Sequence, residues 1–153
     1  MEDISKRSIR ATRYFDAPVD LLWKVLTIPE YMQDWWGPEG FTNTIRLMEV
    51  KQGGLLEFTM HGPDGTNYEN EYVYREIIPL KKIVLEHLKT PKFTIAITLY
   101  DEGEKTRMEW QNIFETVPEL KQAVEAFKAD VGLEQNLNRL TSYTYNLKAK
   151  TTA

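Results

Sequence analysis

The sequence offers few residues that could perform acid–base or nucleophilic chemistry. It has two histidines, His61 and His87, and no cysteine, which excludes disulfides and thiolate nucleophiles. Apolar and polar residues alternate around both histidines, so His61 and His87 are predicted to point to opposite faces of a sheet. An inward His87 could act as an acid or base if burial tuned it towards neutrality, or it could be a structural histidine. No serine lies in a Gly-x-Ser-x-Gly context, and we predict that the protein is not an enzyme.

Metal and phosphate sites are not predicted either. A zinc site normally has three or four His, Cys or carboxylate ligands at recognisable spacings, and the two histidines here show none of them. Gly53-Gly54 and Pro63-Asp64-Gly65 are predicted to be turns, because neither joins a strand to a helix as a phosphate-binding loop does. We therefore expect no metal and no cofactor.

Length and composition indicate a single soluble domain, residues 1–153. With 42% hydrophobic and 27% charged residues, a chain of this length can bury a substantial core. The net charge of −4 and the lack of a basic cluster argue against nucleic acid as a partner. No apolar stretch has the length of a signal-peptide core or a membrane span. We expect no membrane insertion and a cytoplasmic location, and the oligomeric state stays open.

Turn signals and periodicity predict an α+β fold in β-α-α-β6-α order. The predicted strands are 7–16, 43–51, 55–61, 68–78, 82–88, 93–100 and 106–115. The predicted helices begin at Ala17-Pro18, at Thr27 and at Thr116. The connections between the last six strands are short, which favours antiparallel neighbours. We expect one seven-stranded antiparallel sheet with the helices on one face.

The segment from Thr116 to Leu147 has the longest helical pattern in the chain. Thr116 and Glu119 form a capping box at its start. A first apolar stripe consists of Leu120, Val124, Phe127 and Val131, and a second, on roughly the opposite side, consists of Leu133, Leu137, Leu140 and Leu147. Because Gly132 lies where the stripe changes side, we predict a kink or break there and a second helix, 131–148, packed across the sheet.

Alternation in the strands predicts aromatic residues with polar tips on the face towards that helix. Tyr72, Tyr74 and Trp110 fall on this face together with Phe, Met, Asn and His side chains. Aromatic walls with a few polar points are typical of small-molecule pockets, whereas a core built only for stability favours branched aliphatic residues. Bulky residues could also simply fill the space under a curved sheet, so the pattern alone leaves both interpretations open.

Several segments resemble a known family. They are RYFDAPVDLLWKVLTIPEYMQDWWGPEGF, KQGGLLEFTMHGPDG, YREIIPLKKIVLEH, TRMEWQNIFE and GLEQNLNRLTSY, in that order. Together they resemble the homologues of the activator of heat-shock-protein-90 ATPase, a branch of the START-like (SRPBCC) superfamily, over about residues 6–147. The resemblance implies the helix-grip fold, in which a curved antiparallel sheet wraps around a long C-terminal helix with a cavity between them. Many relatives carry tryptophan where this chain has Leu133.

The residue pattern and the resemblance together predict binding of a small, largely apolar ligand, aromatic or lipid-like, in that cavity. The expected lining is Trp36, Phe58, Met60, Tyr72, Tyr74, His87, Trp110, Asn112, Phe114 and Leu133. One alternative is an enzyme of the polyketide-cyclase or dehydratase type that uses His87 or a tyrosine hydroxyl as its acid–base group.

A co-chaperone-related interaction module is the other alternative. The family's ATPase activators resemble two-domain proteins whose separate N-terminal domain makes the main chaperone contact, and this chain has no room for such a domain. A chaperone partner is therefore not favoured, and we expect that the chain alone does not stimulate a heat-shock-protein-90 ATPase.

Overall fold

The computed structural model of the protein describes residues 3–152. After a 3-10 turn, Ile4–Arg7, the elements in chain order are β1 Ser8–Phe15, α1 Val19–Thr27, α2 Pro29–Trp35, β2 Thr42–Met48, β3 Leu55–His61, β4 Asn67–Ile78, β5 Lys82–His87, β6 Phe93–Glu102, β7 Lys105–Phe114, α3 Val117–Phe127 and α4 Ala129–Thr152. This order confirms the predicted α+β architecture. No helix within the described range is both long and apolar enough to span a membrane.

The seven strands form one antiparallel sheet in the order β1-β7-β6-β5-β4-β3-β2. Consecutive strands from β2 to β7 are neighbours because their connections are too short for a crossover, and β1 completes the sheet beside β7. The strand predicted over 43–51 ends earlier, at Met48. The next residues form a turn in which Lys51 N–H donates to the Glu49 carbonyl and Gly54 N–H donates to the Lys51 carbonyl.

One face of the sheet carries the core, as the alternation predicts. Its buried side chains are Leu56, Phe58, Tyr72, Tyr74, Ile83, Leu85, Ile95, Ile97, Leu99, Met108 and Trp110. Helix α1 covers part of this face with a stripe of buried residues at helical spacing, Val19, Leu22, Val25 and Leu26. The indole N–H of Trp35 donates to the Val25 carbonyl at 3.0 Å, which joins α2 to α1.

The break between the two C-terminal helices lies at Lys128, so the prediction of a break at Gly132 is wrong. Lys128 has φ 54° and ψ 43°, a left-handed conformation that ends α3 while its N–H donates to the carbonyls of Ala123 and Val124. Gly132 lies inside α4, where its N–H donates to the Lys128 carbonyl at 2.9 Å. A single left-handed residue turns the chain in one step, so α4 takes a new direction before glycine is reached.

Only the second predicted apolar stripe is core. Leu133, Leu137 and Leu140 of α4 are buried, which confirms that this side of α4 faces the sheet. The first stripe does not form a buried surface: no residue of α3 is buried, Phe127 is 73% exposed and Val131 is 49% exposed. Helix α3 begins as predicted, with the Thr116 hydroxyl accepting from Glu119 N–H at 3.2 Å.

Candidate functional site

A cavity of about 230 Å³ lies between one end of the sheet and the start of α4, and it opens to solvent. Seven segments contribute its wall: the loop after α2, the four strands β3, β4, β6 and β7, the end of α3, and the first two turns of α4. The lining residues are Trp36, Gly37, Pro38, Met60, Tyr72, Phe93, Ile95, Trp110, Asn112, Phe127, Lys128, Ala129, Gly132, Leu133 and Asn136. This is where the helix-grip resemblance predicts a cavity.

Trp36 is the centre of the aromatic wall. Its ring lies 5.8 Å from Phe58 and 6.1 Å from Tyr72, both edge-on, and 5.8 Å from Trp110 at a tilt of 49°. Phe58 and Tyr72 stack in parallel at 6.0 Å. Edge-on and offset arrangements of this kind are the favourable ones for aromatic pairs. The rings therefore pack against one another, and they give the cavity an aromatic wall.

Three residues of α4 bind the loop that forms the cavity rim, and the first, Gln135, accepts from Glu39 N–H at 3.2 Å through its side-chain oxygen. The side-chain oxygen of Asn136 accepts a hydrogen bond from Gly37 N–H at 2.7 Å. The guanidinium of Arg139 donates from Nη1 to the carbonyls of Trp36, Gly37 and Pro38 at 2.8–3.1 Å, and from Nη2 to those of Asp34 and Phe41 at 2.9 Å. Five backbone carbonyls thus accept from the four Nη N–H groups of one planar cation, so at least one N–H of Nη1 is shared between two carbonyls.

Gly37 is needed at the rim because of its backbone conformation. Its φ is +95°, in the region that favours glycine. A Cβ atom at this position would lie 2.7 Å from the terminal methyl of Met60, the end of a flexible side chain that can move aside. Any larger residue would therefore strain the backbone and displace the Met60 methyl group.

The polar side chains of the cavity have fixed orientations. The indole N–H of Trp110 donates to Asn112 Oδ1 at 3.0 Å, and an indole nitrogen can only donate. The Asn112 amide must therefore place its oxygen towards Trp110 and its NH₂ group away from it. The same logic applies to Asn136, whose oxygen faces the backbone N–H of Gly37.

Tyr72 contributes a hydroxyl that stays protonated. Burial raises the pKa of Tyr72 well above its ordinary value of about 10, because the charged phenolate is poorly solvated inside the protein. Among residues 3–152 the Tyr72 hydroxyl has no hydrogen-bond partner. It can act as a hydrogen-bond donor in the cavity, but it is a poor base at neutral pH.

The structure brings together six of the ten predicted lining residues. They are Trp36, Met60, Tyr72, Trp110, Asn112 and Leu133. Phe58, Tyr74, His87 and Phe114 lie on the same buried face but outside the cavity wall. Phe58 backs the wall by stacking against Tyr72, and Phe114 packs against Phe93 with ring centroids 5.7 Å apart. The assignment of any of the ten residues to ligand binding stays a prediction.

His87 is held behind the cavity wall. Its Nδ1–H donates to the Pro91 carbonyl at 2.9 Å, since a carbonyl can only accept, and its ring packs 4.8 Å from Tyr72 and 5.0 Å from Phe93. Its Nε2 is buried without a partner among the described residues. His61, as predicted, lies on the other face, where it contacts Thr44 and Asn67.

Sequence reasoning missed the residues that shape the rim. Asn136 stands on α4 three residues after Leu133 and four before Leu140, within the apolar stripe, and Arg139 follows Asn136 by three residues. A polar residue within such a stripe is a signal that could have been read, because a buried polar group needs a partner. Their partner carbonyls and N–H groups lie about a hundred positions earlier in the chain, and no local pattern predicts that pairing.

Other depressions of the described surface have different linings. One of about 380 Å³, between the end of β1 and α4, includes the rings of Tyr14, Phe15 and Tyr145 together with polar residues. A second, of about 510 Å³ beside α1, is lined by Pro18, Asp20, Leu21, Lys24, Gly103, Glu104 and Lys148, without an aromatic ring. Another, of about 400 Å³, lies between α3 and the β5–β6 loop and includes Pro91, Gln122 and Phe127. Within residues 3–152, His, Cys, Asp and Glu side chains nowhere form a group of three that could hold a metal ion.

The fold is similar to several solved bacterial proteins. A protein from Nitrosomonas europaea superposes with a TM-score of 0.85 and 22% identity, covering 95% of this chain and 98% of that one. A protein from Arthrobacter aurescens gives 0.86 and 20%, covering 95% and 90%. An AHSA1-like protein from Aeromonas hydrophila gives 0.74 and 14%, covering 92% and 94%. At these identities the likeness shows the fold alone.

Sequence comparison agrees with this result. No curated protein matches the chain significantly. Residues 16–144, from the end of β1 to the middle of α4, match the family described as Activator of Hsp90 ATPase homolog 1-like protein. That range includes every residue of the cavity wall. The chain belongs to the Activator of Hsp90 ATPase homolog 1-like family.

Proposed function

We propose that the protein binds a small, largely apolar, aromatic molecule in the cavity between the sheet and α4 and does not transform it. The observation that carries the proposal is an open cavity of about 230 Å³ whose wall contains Trp36, Tyr72, Phe93 and Trp110. The family's START-like fold is typically ligand-binding. Flat aromatic rings can stack on a flat ligand, while Met60 adapts to its outline.

The size of the cavity favours a compact ligand over a long lipid chain. A dry apolar cavity of roughly 150 Å³ binds benzene, so about 230 Å³ suits a molecule of one or two rings. Pockets for larger ligands usually exceed about 300 Å³. Among the two expected ligand types, aromatic and lipid-like, we therefore propose the aromatic one.

Binding rather than catalysis is proposed because the candidate acid–base groups are poorly placed. His87 is outside the cavity wall, and Nε2, the ring nitrogen left to accept a proton once Nδ1–H donates to Pro91, is buried. Tyr72 reaches the cavity, but burial raises the pKa of its hydroxyl, so it can donate a hydrogen bond and cannot readily accept a proton. Neither group is therefore placed to act as a general base on a ligand in the cavity.

The test uses naphthalene and ethylbenzene as aromatic probes and myristate as the lipid probe. An aromatic probe at a hundred times its dissociation constant should stabilise the fold by about 2.7 kcal/mol, which corresponds to roughly 5–10 °C in melting temperature for a protein of this size. Tryptophan emission should change as well, because Trp36 and Trp110 line the cavity. Trp110→Phe should lose much of that signal. Mass spectrometry should recover the probe unchanged, and turnover abolished in His87→Ala would favour the enzyme instead.

A cavity-filling variant gives the matched control. Leu133→Trp replaces a leucine of the cavity wall with a bulkier indole and should abolish the melting shift. Val131→Trp, two residues away at a position that is 49% exposed in the wild type, should keep the shift. If neither aromatic probe shifts melting or emission, the proposal fails. If myristate alone does so, the aromatic preference fails.

Chaperone activity is separable from this proposal. That the chain alone does not stimulate a heat-shock-protein-90 ATPase stays a prediction, tested by an ATPase assay with saturating protein. A several-fold stimulation would contradict it.

A further inference from the structure

The polar groups that face the cavity are hydrogen-bond donors. Asn112 and Asn136 both line it, and in each the amide oxygen is used inside the protein, by the Trp110 indole N–H and by the Gly37 N–H. Their NH₂ groups have no partner among residues 3–152. An amide whose oxygen accepts from a pure donor cannot be flipped without losing that bond, so the NH₂ orientation is fixed by the protein itself.

The two NH₂ groups are only partly buried. Asn136 is 7% exposed, yet the fully buried side-chain atoms that lack a partner in the described chain are Asn43 Oδ1 and His87 Nε2. The amide nitrogens are not among them, so each keeps some exposed surface, and both residues line the cavity. A mostly buried amide with an unused donor is costly unless a partner arrives. A ligand that accepts hydrogen bonds would supply that partner.

The acceptors of the rim are already occupied. The carbonyls of Trp36, Gly37 and Pro38 all accept from Arg139 Nη1. The loop that frames the cavity therefore offers a ligand little accepting capacity. The two amide donors are free and the rim carbonyls are bound, so apart from the Tyr72 hydroxyl, which can donate or accept, the cavity favours ligands that accept hydrogen bonds.

Resting on the proposed function, we infer that the ligand is an aromatic molecule with an acceptor oxygen, a carbonyl or a carboxylate, which the amide NH₂ groups of Asn112 and Asn136 hold while the rings of Trp36 and Trp110 pack on its apolar part. Lys128, at the cavity edge, adds a positive charge that an anionic ligand would also meet. A ligand bearing only donors, such as a free amine or an N–H heterocycle, finds no matching group at these two positions.

The test compares three probes of similar size: ethylbenzene, acetophenone and benzoate. Acetophenone differs from ethylbenzene by a carbonyl in place of a methylene, so the ratio of their dissociation constants isolates the acceptor oxygen. We expect acetophenone, benzoate or both to bind about tenfold more tightly than ethylbenzene, the effect of one or two hydrogen bonds. Benzoate separates an anionic preference, helped by Lys128, from a neutral one.

Variants assign the effect to the two amides. Asn112→Asp and Asn136→Asp keep the side-chain shape and the oxygen that accepts from Trp110 or Gly37, but they remove the NH₂ donors. The acetophenone-to-ethylbenzene ratio should fall towards one in each variant. Asn138→Asp, on the exposed side of α4, adds the same charge and should leave the ratio unchanged. Because the ratio is taken within one variant, a general loss of stability cancels.

A second readout needs no variant. In the wild-type protein, the side-chain NH₂ resonances of Asn112 and Asn136 should shift with acetophenone much more than with ethylbenzene, and those of Asn138 should stay still. If ethylbenzene binds as tightly as both oxygen-bearing probes, the inference is overturned while the proposed function stands. If none of the three probes binds, both are overturned.

Discussion

The buried face of the sheet has two ends that differ in chemistry and in packing. At the packed end, Leu99 and Met108 pair across β6 and β7, both are at most 4% exposed, and α1 lies against these strands. At the open end, Trp110 and Asn112 add aromatic and amide groups to aliphatic neighbours such as Ile95, and these side chains border the cavity. The two ends are only a few residues apart on the same strands, so the difference lies in the side chains and not in the backbone.

The difference between the two ends distinguishes side chains that stabilise the fold from side chains that could bind a ligand. Close packing of aliphatic groups gives most of the stability and leaves no space. Aromatic rings and amides that border a cavity pack less closely, but they leave ring faces and amide NH₂ groups available to a ligand. Substitutions at the two ends, and a change of pH, test whether stability and binding are divided between them in this way.

Leu137→Ala should be the most damaging of these changes. Leu137 is fully buried on α4, one turn beyond the cavity-lining Leu133. Losing its side chain should cost about 2–5 kcal/mol of unfolding free energy, the range for leucine in a core that cannot collapse. Urea unfolding measures the cost. An unchanged midpoint would mean that this side of α4 is not core, and the division into two ends would fail.

Arg139→Met should lower stability and ligand affinity together. The substitution keeps an apolar stem and removes the donors of five carbonyls on the segment that runs from α2 into the rim. We expect a cost of about 2–3 kcal/mol, comparable with hydrogen bonds made by a charged group. Arg139→Lys should be intermediate, because an ammonium cannot span both sets of carbonyls. Unaltered naphthalene affinity in Arg139→Met would show that the rim does not shape the cavity.

Alkaline pH should destabilise the protein through its buried tyrosines. Burial raises the pKa values of Tyr72, at the open end, and Tyr74, nearer the packed end. A raised folded-state pKa contributes stability that is fully present below the unfolded value of about 10 and is lost as pH rises above it, by about 1.4 kcal/mol per pH unit for each tyrosine. Urea unfolding between pH 8 and 11 measures the slope.

The matched variants are Tyr72→Phe and Tyr74→Phe, each of which should make the slope shallower. If Tyr74→Phe does so and Tyr72→Phe does not, water reaches Tyr72 through the cavity. The open end would then be wetter than the structure indicates.

Phe127→Ala should have the smallest effect. Phe127 is 73% exposed and lies on α3, which has no buried residue, so the change in unfolding free energy should stay within about 0.5 kcal/mol. Its ring also borders the cavity. A loss of more than about 2 kcal/mol would show that α3 packs more tightly than its exposure indicates.

Sequence reasoning predicts the scaffold well because the scaffold depends on local signals. Strand alternation predicts the buried positions of Tyr72 and Trp110, and turn residues predict the antiparallel order. The sequence places the helix break at Gly132 because glycine has a weak helix propensity. The actual break depends on the left-handed conformation of Lys128, which no local sequence pattern predicts. Lysine has a Cβ and seldom adopts positive φ, so such a turn is set by the packing of the helices on either side.

The candidate site was predicted only in part, for a different reason. Alternation along a strand predicts which side chains face inward, but it does not predict which of these inward side chains line a cavity. Tyr74 and Trp110 share the same face, yet only Trp110 lines the cavity. The rim contacts of Asn136 and Arg139 join segments far apart in the chain, and three-dimensional packing alone establishes them.

Intermolecular nuclear Overhauser effects from bound ethylbenzene test the central claim most directly, because they report position and not merely binding. The account predicts contacts from the ligand ring to the indole protons of Trp36 and Trp110 and to the methyl groups of Leu133. It predicts none to Leu99 or Met108 at the packed end. Contacts confined to Pro91, Gln122 and Phe127, in the groove beside α3, or to the packed end would contradict it.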